Sequence, residues 1–305
     1  ITCSVAAQDA SSETTASAAV TIQNTLPHID SAEITPNVGI EANTLLMCMG
    51  SASDVDGDTP TITYEWMDAS GTSLGTEASL QLDPSIVTVG EEVSCYITAV
   101  DANGGSKMDT VVVLVENTMP TIQSDASITP TSAFTGTALT CAASFEDLND
   151  GTLVESYEWT DASGAVLSST ASYTISSTDT DPGDSISCTA SATDANGSSV
   201  DSSASITIEN TLPTAPTISI VESNPYASET DVTCTVDVES SDIDDQSLSY
   251  VFEWTDAAGN SIQTSSPTTT LSNTLTSNLT SYGSITCSVF ATDGIDNGTS
   301  GTASA

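Results

Sequence analysis

Leu139-Thr140-Cys141-Ala142-Ala143-Ser144-Phe145, and the Tyr157-Glu158-Trp159 whose tryptophan falls eighteen residues after that cysteine, decide how this chain is read. The first segment alternates apolar with small polar residues, the period-two pattern of a half-buried strand. The same period puts Tyr157 and Trp159 on one face and Glu158 on the other, so tryptophan packs inward and glutamate points out. Trp66 follows Cys48 at the same interval, and Trp254 follows Cys234 by twenty residues. A hairpin turn comes next, Asp161-Ala162-Ser163-Gly164, matched by Asp68 to Gly71 and Asp256 to Gly259. Gly90, Gly183 and Gly283 then launch strands carrying a second cysteine: Val93-Ser94-Cys95, Ile186-Ser187-Cys188 and Ile285-Thr286-Cys287. Asp101-Ala102-Asn103-Gly104 and Asp194-Ala195-Asn196-Gly197 turn the chain into a last strand such as Ser205-Ile206-Thr207-Ile208. Helical periodicity is absent.

The whole pattern repeats. Asn24-Thr25-Leu26-Pro27, Asn117-Thr118-Met119-Pro120 and Asn210-Thr211-Leu212-Pro213 are successive joints, each 93 residues from the next. A fixed period of this size with internal strand patterning marks an array of small β domains. The expected division is residues 1–23 as the closing strands of a preceding repeat, then repeats at 24–116, 117–209 and 210–305. Ile1-Thr2-Cys3-Ser4-Val5 repeats Ile285-Thr286-Cys287-Ser288-Val289 letter for letter, and the third repeat is expected to stop within its last strand.

A unit of roughly 90 residues buries only about 60 to 65% of its unfolded surface, so covalent bracing matters. Of seven cysteines, Cys48 and Cys95 are 47 apart, Cys141 and Cys188 are 47 apart, and Cys234 and Cys287 are 53 apart. Three pairs are expected, leaving Cys3 with a partner upstream. Closing such a loop stabilises by about 4 kcal/mol in the chain-entropy picture. The bridges persist in oxidising surroundings, which points to an extracellular or cell-surface location. Charge sets the other limit: 42 acidic residues face one lysine, Lys107, and one histidine, His28, for a net of −41. Such a surface repels polyanions, which excludes nucleic acid as a partner. Val111 to Val115, the longest aliphatic run, is too short to insert in a bilayer.

Cysteine, tryptophan, cysteine in this order within about 90 residues resembles an immunoglobulin-like sandwich. With the joint, the Asp54-Val55-Asp56-Gly57-Asp58 turn and the Tyr-Glu-Trp strand, the chain is similar to immunoglobulin-like and PKD-like tandem repeats of large bacterial and archaeal surface proteins. Two positions depart from that pattern. Glu158-Trp159-Thr160-Asp161-Ala162-Ser163-Gly164 stands where PKD repeats carry Trp-x-Phe-Gly-Asp-Gly, and Val93, Ile186 or Ile285 stands where a tyrosine precedes the second cysteine. The resemblance implies an all-β chain of tandem sandwiches serving as a stalk, adhesin or surface filament, and no catalyst.

Asp54, Asp56 and Asp58 alternate, as do Asp147 and Asn149, and Asp242 and Asp244; oxygen ligands at alternate positions suit calcium. Glu65, Glu158 and Glu253 fall at the twelfth position of each, as in an EF-hand. That match fails, because Glu65 sits on an extended strand on the order of 20 Å beyond Asp58 at about 3.3 Å per residue. A shared pole is the better geometry. There Asp54, Asp56, Asp58 and Asp101 face Gln23 and Asn24; Asp147, Asn149 and Asp194 face Glu116 and Asn117; and Asp242, Asp244 and Asp293 face Glu209 and Asn210. Against this stands the reading of Asp, Asn and Gly as ordinary turn residues on an acidic surface.

Gly71-Thr72-Ser73-Leu74-Gly75 spells a nucleophile elbow, but that motif needs a strand-to-helix turn and an activating histidine, and this one lies in a hairpin. Asn196, Asn278 and Asn297 begin glycosylation sequons. The expected function is a non-enzymatic structural segment of a surface fibre, stalk or filament. Its expected partners are copies of itself or adjoining repeats of a longer chain, with surface glycans as further candidates. The alternative is an adhesin segment that binds a glycan or protein through its acidic loop tips.

Overall fold

A computed structural model of the chain describes residues 1–222, 231–276 and 283–305, and these contain strands and turns but no helix. The chain forms two compact units, one of residues 1–120, 146–153 and 194–198, the other of residues 121–145, 154–193 and 199–305.

The first unit opens with an antiparallel hairpin of β1 (Thr2–Gln8) and β2 (Glu13–Ala19), exposed along its whole length, with Cys3 opposite Ala18. A sandwich follows, built from β3 (His28–Thr35), β4 (Leu45–Ser53), β5 (Thr61–Met67), β6 (Ser73–Gly75), β7 (Ser79–Gln81), β8 (Glu92–Val100) and β9 (Ser106–Leu114). Its sheets have the orders β3-β4-β7 and β6-β5-β8-β9.

The second unit repeats this arrangement twice. One set is β10 (Thr121–Thr129), β11 (Ala138–Glu146), β12 (Val154–Thr160), β13 (Val166–Ser168), β14 (Ser172–Thr174), β15 (Ser185–Thr193) and β16 (Ser199–Thr207), ordered β10-β11-β14 and β13-β12-β15-β16. The other is β17 (Thr217–Glu222), β18 (Val232–Val238), β19 (Ser249–Asp256), β20 (Ser261–Thr264), β21 (Ser272–Leu275), β22 (Ile285–Thr292) and β23 (Gly301–Ser304), ordered β17-β18-β21 and β20-β19-β22-β23. The architecture is tandem immunoglobulin-like β-sandwiches with one disulfide each.

Each bridge ties the three-stranded sheet to the four-stranded one: Cys48 to Cys95, Cys141 to Cys188 and Cys234 to Cys287, at Cα separations of 6.4, 6.3 and 6.4 Å. The tryptophans occupy the strand beside the second cysteine, in register with it: Trp66 opposite Cys95, Trp159 opposite Cys188 and Trp254 opposite Cys287. Opposed residues have Cβ atoms about 4.5 to 5.5 Å apart, so each indole lies beside its bridge. All three are fully buried, and a buried indole N–H needs an acceptor. Trp66 donates to the Glu77 carbonyl at 2.9 Å, Trp159 to the Thr170 carbonyl at 3.1 Å and Trp254 to Asn273 Oδ1 at 2.8 Å. The register slips just after each tryptophan, between Trp66 and Met67, Trp159 and Thr160, and Trp254 and Thr255, where the following short strand joins the edge. Val93, Ile186 and Ile285 are core residues, so the position of the missing tyrosine is filled by aliphatic packing.

Core volume is balanced differently in each repeat. Two residues beyond the first cysteine stands Gly50, Ala143 or Val236, and two beyond the second stands Ile97, Ala190 or Val289. A Cβ on Gly50 would come within 2.8 Å of Ile97 Cγ2, so this strand glycine makes room for the larger partner. Gly50→Ala is expected to destabilise the first sandwich by about 1–3 kcal/mol through overpacking. Denaturant unfolding measures it, and an unchanged midpoint contradicts the packing argument.

Candidate functional site at the joints

The first joint is held by its asparagine. Asn24 Nδ2 donates to Asp101 Oδ2 at 2.8 Å, while Asn24 Oδ1 accepts from Asn103 Nδ2 at 2.8 Å. The next residue adds a backbone bond, Thr25 N–H to Asp56 Oδ2 at 2.6 Å. Pro27, which supplies no N–H, is buried. The acceptors are pre-shaped by their own turns. Asp101 Oδ1 accepts from the N–H groups of Asn103 and Gly105, both at 2.8 Å, and Asp54 Oδ1 from that of Asp56 at 2.7 Å. Gly104 completes the first of these turns at φ 88°, a left-handed conformation that a side chain would strain. Asp58 joins through Asn103 Nδ2 at 3.3 Å.

At the second joint the same atoms recur. Asn117 Nδ2 donates to Asp194 Oδ2 at 2.8 Å and to the Ser198 hydroxyl at 3.0 Å, and its Oδ1 accepts from Asn196 Nδ2 at 2.8 Å and Asn149 Nδ2 at 3.2 Å. Thr118 N–H donates to Asn149 Oδ1 at 2.9 Å, and Asn149 N–H to Asp147 Oδ1 at 2.9 Å.

The third joint keeps half of the pattern. Asn210 Nδ2 donates to Asp293 Oδ2 at 2.9 Å and Asp296 Oδ2 at 3.2 Å, and Thr211 N–H to Asp244 Oδ2 at 2.6 Å. Ile295 occupies the place of Asn103 and Asn196, so the amide that would reach Asn210 Oδ1 is missing. Asn210 Oδ1, Asp242 Oδ2 and Asp244 Oδ1 are buried without a hydrogen-bond partner, and Asp244 is only 2% exposed. Asp54 Oδ2 and Asp147 Oδ2 are orphaned at the equivalent place in the other two tips.

Asp101 is held below the usual carboxylate range by the Asn24 amide first, against the cost of burial, with help from the N–H groups of Gly105, Asn103 and Gly104. For Asp194 burial is the largest influence and opposes ionisation. The Asn117 amide and the turn N–H groups of Ser198, Asn196 and Gly197 outweigh it and bring the carboxyl down. Asp293 behaves alike, with Asn210 as its side-chain donor. Asp242 goes the other way: burial raises it, the Asp244 N–H pulls it back, and repulsion from Asp244 and Asp293 raises it further.

Glu116 and Glu209 stay outside these clusters. Glu116 Oε1 accepts from Gly39 N–H at 3.0 Å, and the N–H groups of Glu116 and Glu209 donate to the Ile40 and Ala133 carbonyls at 2.6 Å. Among the described residues, no group of three or more His, Cys, Asp or Glu side chains is arranged to hold a metal ion. The amide hub was not read from the sequence. Its signal was present, since an asparagine offers both donor and acceptor and recurs opposite Asp-x-Asn-Gly. Of the sequons, Asn196 has its amide engaged at the joint, Asn297 is exposed and Asn278 lies outside the described residues.

No protein-family model and no curated protein matches the chain. Solved structures similar to it include a tetra-tandem repeat from the extending region of a large adhesion protein, at 18% identity over 100% of this chain and 80% of that one, TM-score 0.38. A second is a Ca2+-stabilized adhesin that helps an Antarctic bacterium reach out and bind ice, at 14% identity over 100% and 80% of the two chains, TM-score 0.47. A third is the immunoglobulin domains 1–5 of Sidekick-1, at 12% identity over 93% and 59%, TM-score 0.31.

A carboxyl whose pKa is lowered by folding contributes stability above the ordinary aspartate value of about 3.9, and loses it as pH falls through the folded value. The hydrogen bonds at the second joint are therefore expected to survive until pH drops below about 3.9. Asn117→Ala removes the side-chain donor and is expected to raise the Asp194 pKa. Carboxyl-carbon NMR titration reads this directly; an Asp194 titration unchanged in the variant contradicts the assignment.

Proposed function

We propose that the chain is a non-enzymatic structural repeat segment of an extracellular or cell-surface fibre, stalk or filament, with repeats at 24–116, 117–209 and 210–305 and with calcium setting the third joint. One observation carries the reading: three joints, 93 residues apart, direct the same asparagine amide at the same aspartate. A segment that builds length needs each repeat to meet the next in a defined way, and short polar joints restricted by proline supply this. The disulfides support an oxidising exterior, and the net charge of −41 supports a saline or cation-rich one.

Calcium fits the third tip best, because a hard cation takes oxygen ligands and the unpartnered oxygens of Asn210, Asp242 and Asp244 lie in that tip beside Asp293. A bound cation would supply the positive charge that this lysine-poor surface lacks and would reverse the rise at Asp242. At the first two tips Asp54, Asp56, Asp58, Asp101, Asp147, Asn149 and Asp194 each accept a protein donor, and only one oxygen per tip among them, Asp54 Oδ2 and Asp147 Oδ2, is buried without one, which favours self-sufficient joints there. The same engagement weakens the alternative of an adhesin segment reading a glycan through its loop tips.

Small-angle scattering and titration calorimetry of EDTA-treated protein test the proposal. Millimolar calcium is expected to release heat and narrow the distance distribution of the wild type, and to do neither in Asp242→Asn/Asp244→Asn. No heat and unchanged scattering in the wild type would end the calcium assignment. Scattering from a collapsed, compact chain in both conditions would end the stalk reading.

A further inference from the structure

The outer face of the four-stranded sheet β6-β5-β8-β9 differs in kind from its counterpart in the second repeat. Residues one past the tryptophan are Met67, Thr160 and Thr255, and residues one past the second cysteine are Tyr96, Thr189 and Ser288. Met108, paired with Thr98, corresponds to Asp201, paired with Ser191. Val112, paired with Ser94, corresponds to Ser205, paired with Ser187. At these positions the second repeat carries only Ser, Thr and Asp, which suits a solvated sheet face. The first repeat instead spends a tyrosine, two methionines and a valine there, with Met108 55% and Val112 46% exposed.

An open groove of about 750 Å³ runs over part of this face, lined by Glu65, Met67, Tyr96, Thr98 and Met108 among others. Glu65 stands directly opposite Tyr96 in the register, Met67 and Met108 lie on its diagonals, and Thr98 closes the row. Glu65 is the one acidic or basic residue that lines this groove, and the chain carries 42 acids against a single lysine. Methionine conforms to a guest and offers a polarisable wall, and a tyrosine ring attracts a cation over its face.

We propose that this groove binds an arginine side chain presented by an extended segment of a partner protein. A planar guanidinium satisfies both walls at once, stacking on Tyr96 while its N–H groups reach the Glu65 carboxylate, with Met67 and Met108 flanking its edges. Lysine fits less well, since its ammonium has no plane to lay on the ring and no fork to meet the carboxylate with two N–H groups. The negative field of the chain attracts such a partner from solution, and the groove supplies the selection. This site lies on a strand face and is independent of the joints.

The probe is an acetylated, amidated (Arg-Thr)₃ peptide with its Lys analogue, titrated against the full chain in 0.5 M NaCl to screen the general field. Met67→Thr/Tyr96→Thr/Met108→Asp gives the first repeat the second repeat's residues, which a sandwich of this type already accommodates. That variant is more negative than the wild type, so attraction by charge alone predicts tighter binding, whereas the groove predicts binding weaker by about tenfold or more. Glu65→Gln and the single Tyr96→Thr are each expected to weaken binding, and the Tyr96 ring resonances to shift on titration. Equal or tighter binding by the triple variant, equal affinity for the two peptides, or unmoved Tyr96 resonances would overturn the proposal.

Discussion

Everything in these sandwiches is organised around a tryptophan placed in register with a bridged cysteine. The bridge fixes the distance between two sheets, and the indole fills the space beside it, so a repeat with few aromatic residues still has a defined interior. Losing a buried tryptophan costs about 3–5 kcal/mol, a large share of the about 5–15 kcal/mol that holds a small domain together. Most of the remaining core positions are small or aliphatic, with Tyr173 added in the second repeat and Tyr250 and Phe252 in the third, and they adjust to one another as Gly50 does to Ile97. That leaves the loops free to specialise.

Specialisation takes a single form at the three tips. An aspartate folds its own turn by accepting N–H groups, two and four residues on at Asp101 and Asp194 and two and three on at Asp293, and presents its second oxygen to an asparagine from the incoming joint. Hairpin turns at Asp68, Asp161 and Asp256 use the first half of this device alone. Much of the acidity of the chain is therefore structural, and the low pKa of these groups follows from the donors that surround them. In the third tip Ile295 replaces the second asparagine, and Asn210 Oδ1 is left buried without a donor.

The strands were legible in the sequence because their signal is local. Period two in Leu139 to Phe145, Asp-x-x-Gly turns and a cysteine-to-tryptophan interval of eighteen or twenty residues each speak locally. The disulfide pairing was legible for a second reason, the equal 47-residue interval in two repeats. The joint was legible only in part. The shared pole placed Asp147, Asn149 and Asp194 near Asn117, but spacing says nothing about which atom of an amide faces which oxygen across 77 residues. Nor did it show Glu116 turned toward Gly39, a bond made within its own sandwich. The methionine and tyrosine face of the first repeat also escaped attention, since outward positions of a strand look alike until register aligns them.

The central claim is that every joint donates hydrogen bonds of its own to the tip it enters, the third included, where the proposed cation would add to them. Native-state amide exchange at Thr25, Thr118 and Thr211 tests it most directly, since these N–H groups donate to Asp56, Asn149 and Asp244. The account predicts protection at all three comparable with that of the neighbouring strands. Exchange at the rate of an open linker would contradict it.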